Sequence, residues 1–203
     1  MTSEIKVDEI RTSTGSTTLI DTNQEFDQWY LSANDAEYTF NHSILSGWER
    51  YSAETIRGLN APMPIGTGLT QTTDPALAVF SSGTTLPGSK FTFPRPGYYR
   101  IDAYFRFRSS LYDGNFFVTL MLSNDGGTNY TNYIRTNIGN ADNDLVKYTC
   151  SMKAFINVIN ISTTQFVFLK SNTYNASQAY EIIEGGTASA KTSFSCQRLA
   201  PAQ

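Results

Sequence analysis

The clearest alternation of apolar and polar residues in this chain lies between Gly88 and Ser109. Phe91 and Phe93 alternate with polar neighbours, a Pro-Arg-Pro-Gly bend follows at 94–97, and the alternation then resumes. Because the side chains of a strand point to alternate faces, the second stretch predicts a half-buried antiparallel strand. Its apolar face holds Tyr99, Ile101, Ala103, Phe105 and Phe107, and its polar face holds Arg100, Asp102, Tyr104, Arg106 and Arg108.

Further strands follow at short intervals along the chain. A strand from Phe116 to Leu122 and a returning strand flank the turn 124–127, where two glycines supply positive φ at little cost. The segment 146–156 predicts another strand, and 165–169 is apolar on both faces, which indicates a strand buried on both sides. A last strand covers 193–199. About eight strands separated by turns predict an all-β two-sheet sandwich or jelly roll.

The N-terminal region is patterned differently from the rest of the chain. Residues 1–22 hold two short alternating stretches around a Ser-Thr-Gly turn, and an isolated hairpin of that size is marginal in water. We therefore expect an extended N-terminal arm that needs a partner, with 1–47 as arm and transition segment and 48–203 as the head. The apolar residues expected to dock the arm are Ile5, Val7, Ile10, Leu19 and Ile20.

Two segments admit more than one interpretation. In the transitional segment 23–47, Phe26, Trp29, Tyr30 and Leu31 form an apolar cluster, and AEYTFN is one strand candidate. Because Phe26, Trp29 and Tyr30 fit the i, i+3, i+4 spacing, a helix across 24–32 is the alternative. In the segment 70–88, the apolar run from Ala76 to Phe80 indicates either an additional edge strand or a lid.

Composition narrows the class of protein. With 203 residues the chain can bury one core, and its 13% aromatic content favours sheets over helices. A net charge of −3 argues against a nucleic-acid partner. Because the chain has no window of about 18 apolar residues, and MTSEIKVDEI carries acids where a signal peptide needs a basic end, we expect no membrane insertion and synthesis in the cytoplasm. Cys150 and Cys196 are expected to be reduced and half-buried, although the sequence leaves a disulfide open.

Catalytic and metal-binding patterns are weak, and we expect neither an enzyme nor a cofactor. His42 is the only histidine, and no G-x-S-x-G nucleophile motif accompanies it. A carboxylate pair for glycan hydrolysis has candidates by residue type only, and turn capping is the alternative role. These candidates are Asp102, Asp113, Asp125, Asp142 and Asp144. Asp125 with Asn124 and Asn129 lacks the dense acidic alternation of strong calcium loops.

Two sets of residues are candidates for a ligand or partner surface. Arg100, Arg106 and Arg108 interleave with Tyr104, and guanidinium groups beside a ring can bind sugars or acidic groups, or pair with Asp102. Tyrosines among Asn, Ser and Gly have the composition of an adaptable recognition surface, although ordinary soluble loops look similar. These loop tyrosines are Tyr112, Tyr130, Tyr133 and Tyr174.

Three segments resemble the globular heads of complement and tumour necrosis factor (TNF) proteins. GSKFTFPRPGYYRIDAYFRF resembles the family pattern G-x-F-x-x-P-x-x-G-x-Y, FFVTLMLSNDGG its strand and hairpin, and TSFSCQRLAP its closing strand. The resemblance covers roughly 48–200. It implies a jelly-roll head and a tight homotrimer whose subunits pack around a threefold axis through aromatic and aliphatic side chains.

A narrower resemblance covers nearly the whole chain and concerns small virion proteins of marine and cyanobacterial phages. An opening IKVDEIRTSTGSTTLID precedes FDQWYLSAN, and segments resembling theirs follow at Gly47 to Ser52, Ile65 to Thr70 and Phe91 to Tyr98. This likeness implies a virion location and a trimeric tail fibre or receptor-binding protein. The implied partners are other virion proteins, through the arm, and a host cell-surface glycan or protein. A capsid decoration protein and a glycan-degrading virion enzyme are the alternatives.

Overall fold

The computed structural model describes residues 24–37, 43–51, 65–78, 85–109, 116–138, 146–172, 181–186 and 191–203. These residues form thirteen strands. In chain order they are β1 (Phe26–Leu31), β2 (Asp35–Glu37), β3 (Ser43–Ile44), β4 (Trp48–Arg50), β5 (Thr70–Ala78), β6 (Thr85–Thr92), β7 (Gly97–Ser109), β8 (Phe116–Ser123), β9 (Thr131–Ile138), β10 (Val146–Val158), β11 (Gln165–Asn172), β12 (Glu181–Ile183) and β13 (Ser193–Ala200). None of the described residues forms a helix long and apolar enough to cross a membrane.

The strands assemble into two antiparallel sheets. Sheet I has seven strands, and its order across the main body is β10, β7, β13, β1 and β4. The short strand β12 continues the line of β13 beside β7, and β2 pairs with β12. Sheet II has six strands in the order β5, β6, β11, β8 and β9, with β3 also paired to β11. This arrangement confirms the predicted all-β sandwich.

The predicted bend at 94–97 carries the chain from one sheet to the other. β6 belongs to sheet II and β7 to sheet I, and alternation decides which residues of both strands enter the core. The inward residues of β7 from Tyr99 to Phe107 are all buried, as predicted. The prediction that 165–169 is buried on both faces is also confirmed, because Phe166 faces the main core while Val167 faces a second apolar cluster.

Aromatic rings dominate the main core between the sheets. The rings of Phe91 and Phe166, both on sheet II, stack at 5.1 Å, and the ring of Trp48 meets Phe194 edge-on at the same distance across sheet I. Such ring pairs each contribute about 0.5–1.5 kcal/mol beyond their buried area. The aromatic content of the sequence therefore serves the core in large part.

Residues 26–31 form a strand, so the helical alternative is wrong. Trp29 points into the main core, whereas the buried ring of Tyr30 lies on the opposite face against Tyr51 at a centroid distance of 4.9 Å. The backbone of this strand pairs with β13 on one side and β4 on the other. Residues 24–47, grouped with the arm in the sequence analysis, thus contribute β1, β2 and β3 to the sandwich. Residues 1–22 lie outside the described residues.

The insert at 70–88 contains the additional edge strand. β5 pairs with β6 along the outside of sheet II, with an irregular register between Asp74 and Leu77, next to Pro75. An irregularity at Pro fits an edge position, because Pro cannot donate a ladder hydrogen bond. Leu77 is buried, whereas Val79 and Phe80 lie outside the described residues.

Candidate interaction face

The outward face of sheet I carries the polar side of the alternation predicted for β7. Strand register places its residues in transverse rows. One row runs Gln28, Ser195, Asp102 and Lys153, from β1 through β13 and β7 to β10. The next row holds Tyr30, Ser193, Tyr104 and Ser151. Four strands far apart in sequence thus supply neighbouring side chains on one surface.

These rows form a groove of about 310 Å³ on the outward face. Its outward lining residues are Gln28, Asp102, Tyr104, Ser151, Lys153, Ser193 and Ser195. Serine and glutamine leave room and hydrogen-bonding capacity, whereas Tyr104 supplies the one ring among them. The groove is therefore mixed in character, as interfaces between proteins commonly are.

The charges of the groove are paired with one another. Arg100 Nε lies 2.6 Å from Asp102 Oδ2, and Lys153 Nζ lies 3.8 Å from Asp102 Oδ1. All three side chains are more than a third exposed, so each pair contributes less than about 1 kcal/mol. Asp102 is thus shared by two cations, of which Lys153 lines the groove.

Arg106 is separated from this group by its own partner. Its Nε lies 2.8 Å from Glu184 Oε2, and the Glu184 side chain is nearly buried after β12. The guanidinium is thus committed to a buried carboxylate, since breaking such a pair leaves an uncompensated charge. Arg100 and Tyr104 share the outward face of β7 but lie four residues apart, with Asp102 between them as the partner of Arg100. The side chain of Arg108 lies outside the described residues.

Exposed aromatic side chains lie on this face and at its edge. Tyr104 is 43% exposed, Phe155 on β10 is 53% exposed, and Tyr133 on β9 is 45% exposed. The Tyr133 hydroxyl donates a hydrogen bond to the Phe155 carbonyl, which joins the edge strand of sheet II to the edge strand of sheet I. The two sheets therefore meet along an edge that presents two exposed rings to solvent.

The loop tyrosines have different positions in the structure. Tyr130 is buried, so its assignment to an exposed recognition surface is wrong: its ring packs into the second apolar cluster, with Met121 and Val167. Tyr133 is exposed, but on an edge strand and not in a loop. Tyr112 and Tyr174 lie outside the described residues.

The described residues include some of the candidates for metal binding and carboxylate chemistry. No group of three His, Cys, Asp or Glu side chains there could hold a metal ion. Asp125 serves its own turn, because Oδ1 accepts a hydrogen bond from the Asn129 amide at 3.0 Å and Oδ2 accepts one from the Asn129 side chain at 2.7 Å. His42, Asp113, Asp142 and Asp144 lie outside the described residues.

Both cysteines are free thiols. Cys150 is half-buried, as expected, whereas Cys196 is fully buried in the main core. Burial raises the pKa of both thiols, which keeps them protonated and unreactive near neutral pH.

Several residues of the face were not predicted from the sequence. Lys153 and Phe155 follow the alternation of β10, which would have placed them outward once Ala154 and Ile156 were assigned to the core. No motif or charge in the sequence distinguishes Gln28 or Ser195 as a residue of this face. Their place on the face depends on the pairing of β1 with β13 and of β13 with β7.

The two antiparallel sheets and their order define a TNF-like jelly-roll sandwich. No protein-family model matches the chain, and no curated protein is similar to it in sequence. The solved structure of Eiger TNF from S. frugiperda is similar, with a TM-score of 0.51 and 9% identity over 89% of this chain and 94% of that one. Murine APRIL at pH 5.0 gives a TM-score of 0.53 and 7% identity over 87% and 99%. At such low identity the similarity concerns the fold alone.

Proposed function

We propose that this protein is a structural component of a phage particle: a homotrimeric tail fibre or receptor-binding protein without catalytic activity. In this proposal the N-terminal arm attaches to other virion proteins, and the head faces the host surface. The arm-plus-head layout and the likeness of the sequence to phage virion proteins support the virion role. The TNF-like fold supports self-association, because TNF-like proteins of this fold are homotrimers.

The exposed rings around the groove carry the trimer part of the proposal. Phe155 and Tyr133 project from the edge where β9 and β10 meet, and Tyr104 projects into the groove on the face of sheet I. If the β9–β10 edge of one copy docks on the groove of the next, the contact is head-to-tail. Such contacts form a closed ring when the rotation from one copy to the next returns to the first copy. Three such contacts would cover the rings on every copy.

In this proposal, attachment to the particle and recognition of the host surface take place at opposite ends of the sandwich. The arm joins the sandwich at Gln24, just before β1. β7 begins at the arm end, where Arg100 pairs with Gln197, and therefore ends at the opposite end of the sandwich. β11 also ends there, because its last residue, Asn172, pairs with Phe116 at the start of β8, the strand that follows β7. The chain passes from those far ends into the segments that contain Tyr112 and Tyr174. We propose that host glycan or protein recognition belongs to this far end.

Sedimentation of the purified protein tests the trimer. The wild-type chain should sediment as a trimer, and Tyr104→Glu or Phe155→Glu should give folded monomers because each places a charge in the contact. Thr72→Glu is the matched control, since Thr72 is exposed on β5 at the other edge of sheet II. A monomeric wild type, or trimers in both glutamate variants, would rule out this contact.

Labelling of purified particles tests the virion role. Antibody labelling at the tail in electron micrographs is the expected result. Labelling spread over the shell would instead identify a capsid decoration protein. Absence of the protein from purified particles would contradict the proposal altogether.

A further inference from the structure

Two buried carboxylates lie at the point where the arm joins the sandwich. The side chains of Glu25 and Asp27 are 3% and 2% exposed. Glu25 Oε1 lies 2.5 Å from Arg95 Nη2, and Asp27 Oδ1 lies 3.0 Å from Arg50 Nε. Each carboxylate therefore ties the start of β1 to a different element: Arg95 belongs to the bend before β7, and Arg50 to β4.

The same carboxylates hold the turn at 65–69. The Gly68 amide donates to Glu25 Oε2 at 3.0 Å, and the Leu69 amide donates to Asp27 Oδ2 at 2.8 Å. Asp27 Oδ2 also accepts a hydrogen bond from Trp29 Nε1 at 2.9 Å, which fixes its orientation from the core side. Hydrogen bonds to charged groups are about twice as strong as neutral ones.

Backbone contacts reinforce the same point. Phe26 and Ile65 exchange two hydrogen bonds of 3.0 and 2.9 Å, and the Arg198 amide donates to the Glu25 carbonyl at 2.8 Å. We call Glu25, Asp27, Arg50, Arg95 and the turn 65–69 the clamp. It binds the first described residues to a turn, a strand and a bend that are remote in sequence.

The position of β1 determines how a pull on the arm reaches the fold. β1 lies inside sheet I between β13 and β4, and it begins at the end of the sandwich where the arm leaves. Antiparallel ladder bonds are perpendicular to their strands, so a pull along β1 against the far end of the head loads them together. The clamp adds charged contacts at the residues that receive the force first.

We propose that the clamp is a tension-bearing anchor, which keeps the head folded while the arm is held and pulled by the structure it attaches to. Its biological meaning rests on the proposed attachment of the arm, whereas the mechanical property belongs to the isolated protein. Buried carboxylates paired with arginines are not needed merely to fill space at this position, because a well-packed apolar group stabilises a static fold equally well.

Force spectroscopy on the full-length protein tests the anchor. One handle is attached at the N-terminus and the other at Ser46, an exposed residue in the turn just before β4, which pairs with the far end of β1. The double variant Glu25→Gln with Asp27→Asn keeps the shape of both side chains and removes their charge. The loss of equilibrium stability in this variant will itself shorten the folded lifetime under constant force. Beyond that effect, the lifetime should fall by a further factor of about ten.

Ile101→Val is the matched control, because Ile101 is a buried core residue of β7 outside the clamp. If lifetimes under force follow equilibrium stability alike in both variants, the anchor is refuted. Should the double variant not fold, the single variant Glu25→Gln replaces it, since it removes one of the two buried charges and leaves Asp27 paired with Arg50. A shortened lifetime under force together with absence from purified particles would preserve the anchor and overturn the virion role.

Discussion

Replacing Gly66 by Ala is a sharp test of the geometry around Glu25. Gly66 has φ +80°, and a Cβ placed on it would lie 2.2 Å from Glu25 Oε2. Real Cβ atoms do not approach a heavy atom so closely. The carboxylate must therefore leave the position in which it accepts the Gly68 amide and pairs with Arg95.

The expected loss of stability has two parts. An Ala residue with positive φ costs about 1–2 kcal/mol because its Cβ crowds the following carbonyl. Displacing the Glu25 carboxylate forfeits hydrogen bonds to a charged group, which adds about 1.5–3 kcal/mol. Gly66→Ala should therefore reduce the free energy of unfolding by about 2.5–5 kcal/mol, a large share of the stability of an ordinary domain.

Gly126 provides a matched control in the same chain. Its φ is +79°, and no heavy atom lies within 4 Å of a Cβ built there. Gly126→Ala should then cost only the backbone part, about 1–2 kcal/mol. The difference between the two variants isolates the contact with the carboxylate.

Urea unfolding followed by tryptophan fluorescence measures both variants, since Trp29 and Trp48 are buried in the main core. Combining Glu25→Ala with Gly66→Ala should cost less than the sum of the two single losses, because both changes remove the same carboxylate contacts. Equal losses for Gly66→Ala and Gly126→Ala, or fully additive losses in the double variant, would refute the proposed contact.

Three further predictions concern groups outside the clamp. Hydrogen bonds from the Asn129 amide and side chain lower the pKa of Asp125 to about 2. The ionised Asp125 carboxylate therefore stabilises the fold fully above about pH 4, and this stabilisation is lost as the pH falls toward 2. Asp125→Asn should make the stability measured by urea unfolding less dependent on pH in that range. Tyr130→Phe should leave stability unchanged or raise it by about 1 kcal/mol, because the buried Tyr130 hydroxyl has no hydrogen-bond partner among the described residues; a clear loss in urea unfolding would show that a partner exists. Cys196 should react with iodoacetamide only after unfolding, and fast labelling of the native protein, read by mass spectrometry, would contradict its burial.

Alternation along the sequence was sufficient for the long strands. Every inward residue of β7 was predicted, because a period of two over 13 residues leaves one assignment of faces. The strand at 26–31 was not predicted, because its sequence also fits a helical spacing and its partners in β13 and β4 lie at other places in the chain. The spacing of apolar residues alone cannot distinguish a strand from a helix here, because the hydrogen bonds that form the strand join residues far apart in the sequence.

The candidate face and the clamp were harder to predict for the same reason. Arg100 and Tyr104 could be placed together from one strand, but Gln28 and Lys153 join them only through two strand pairings. Burial of Glu25 and Asp27 ran against expectation, since unpaired acids are almost never buried. Their arginine partners are distant in sequence, so nothing near them signals a site.

Strand β1 links the two proposals physically. Asp27 points inward to the clamp, and the next residue, Gln28, points outward into the groove, because consecutive side chains of a strand take opposite faces. Force that enters through the arm at Gln24 therefore reaches, within four residues, a strand that also lines the proposed contact with the neighbouring copy. In a trimer each neighbour would brace the outward face of β1 while the clamp holds its inward face. It follows that trimer formation should lengthen the folded lifetime under load beyond what the clamp provides in a Tyr104→Glu monomer.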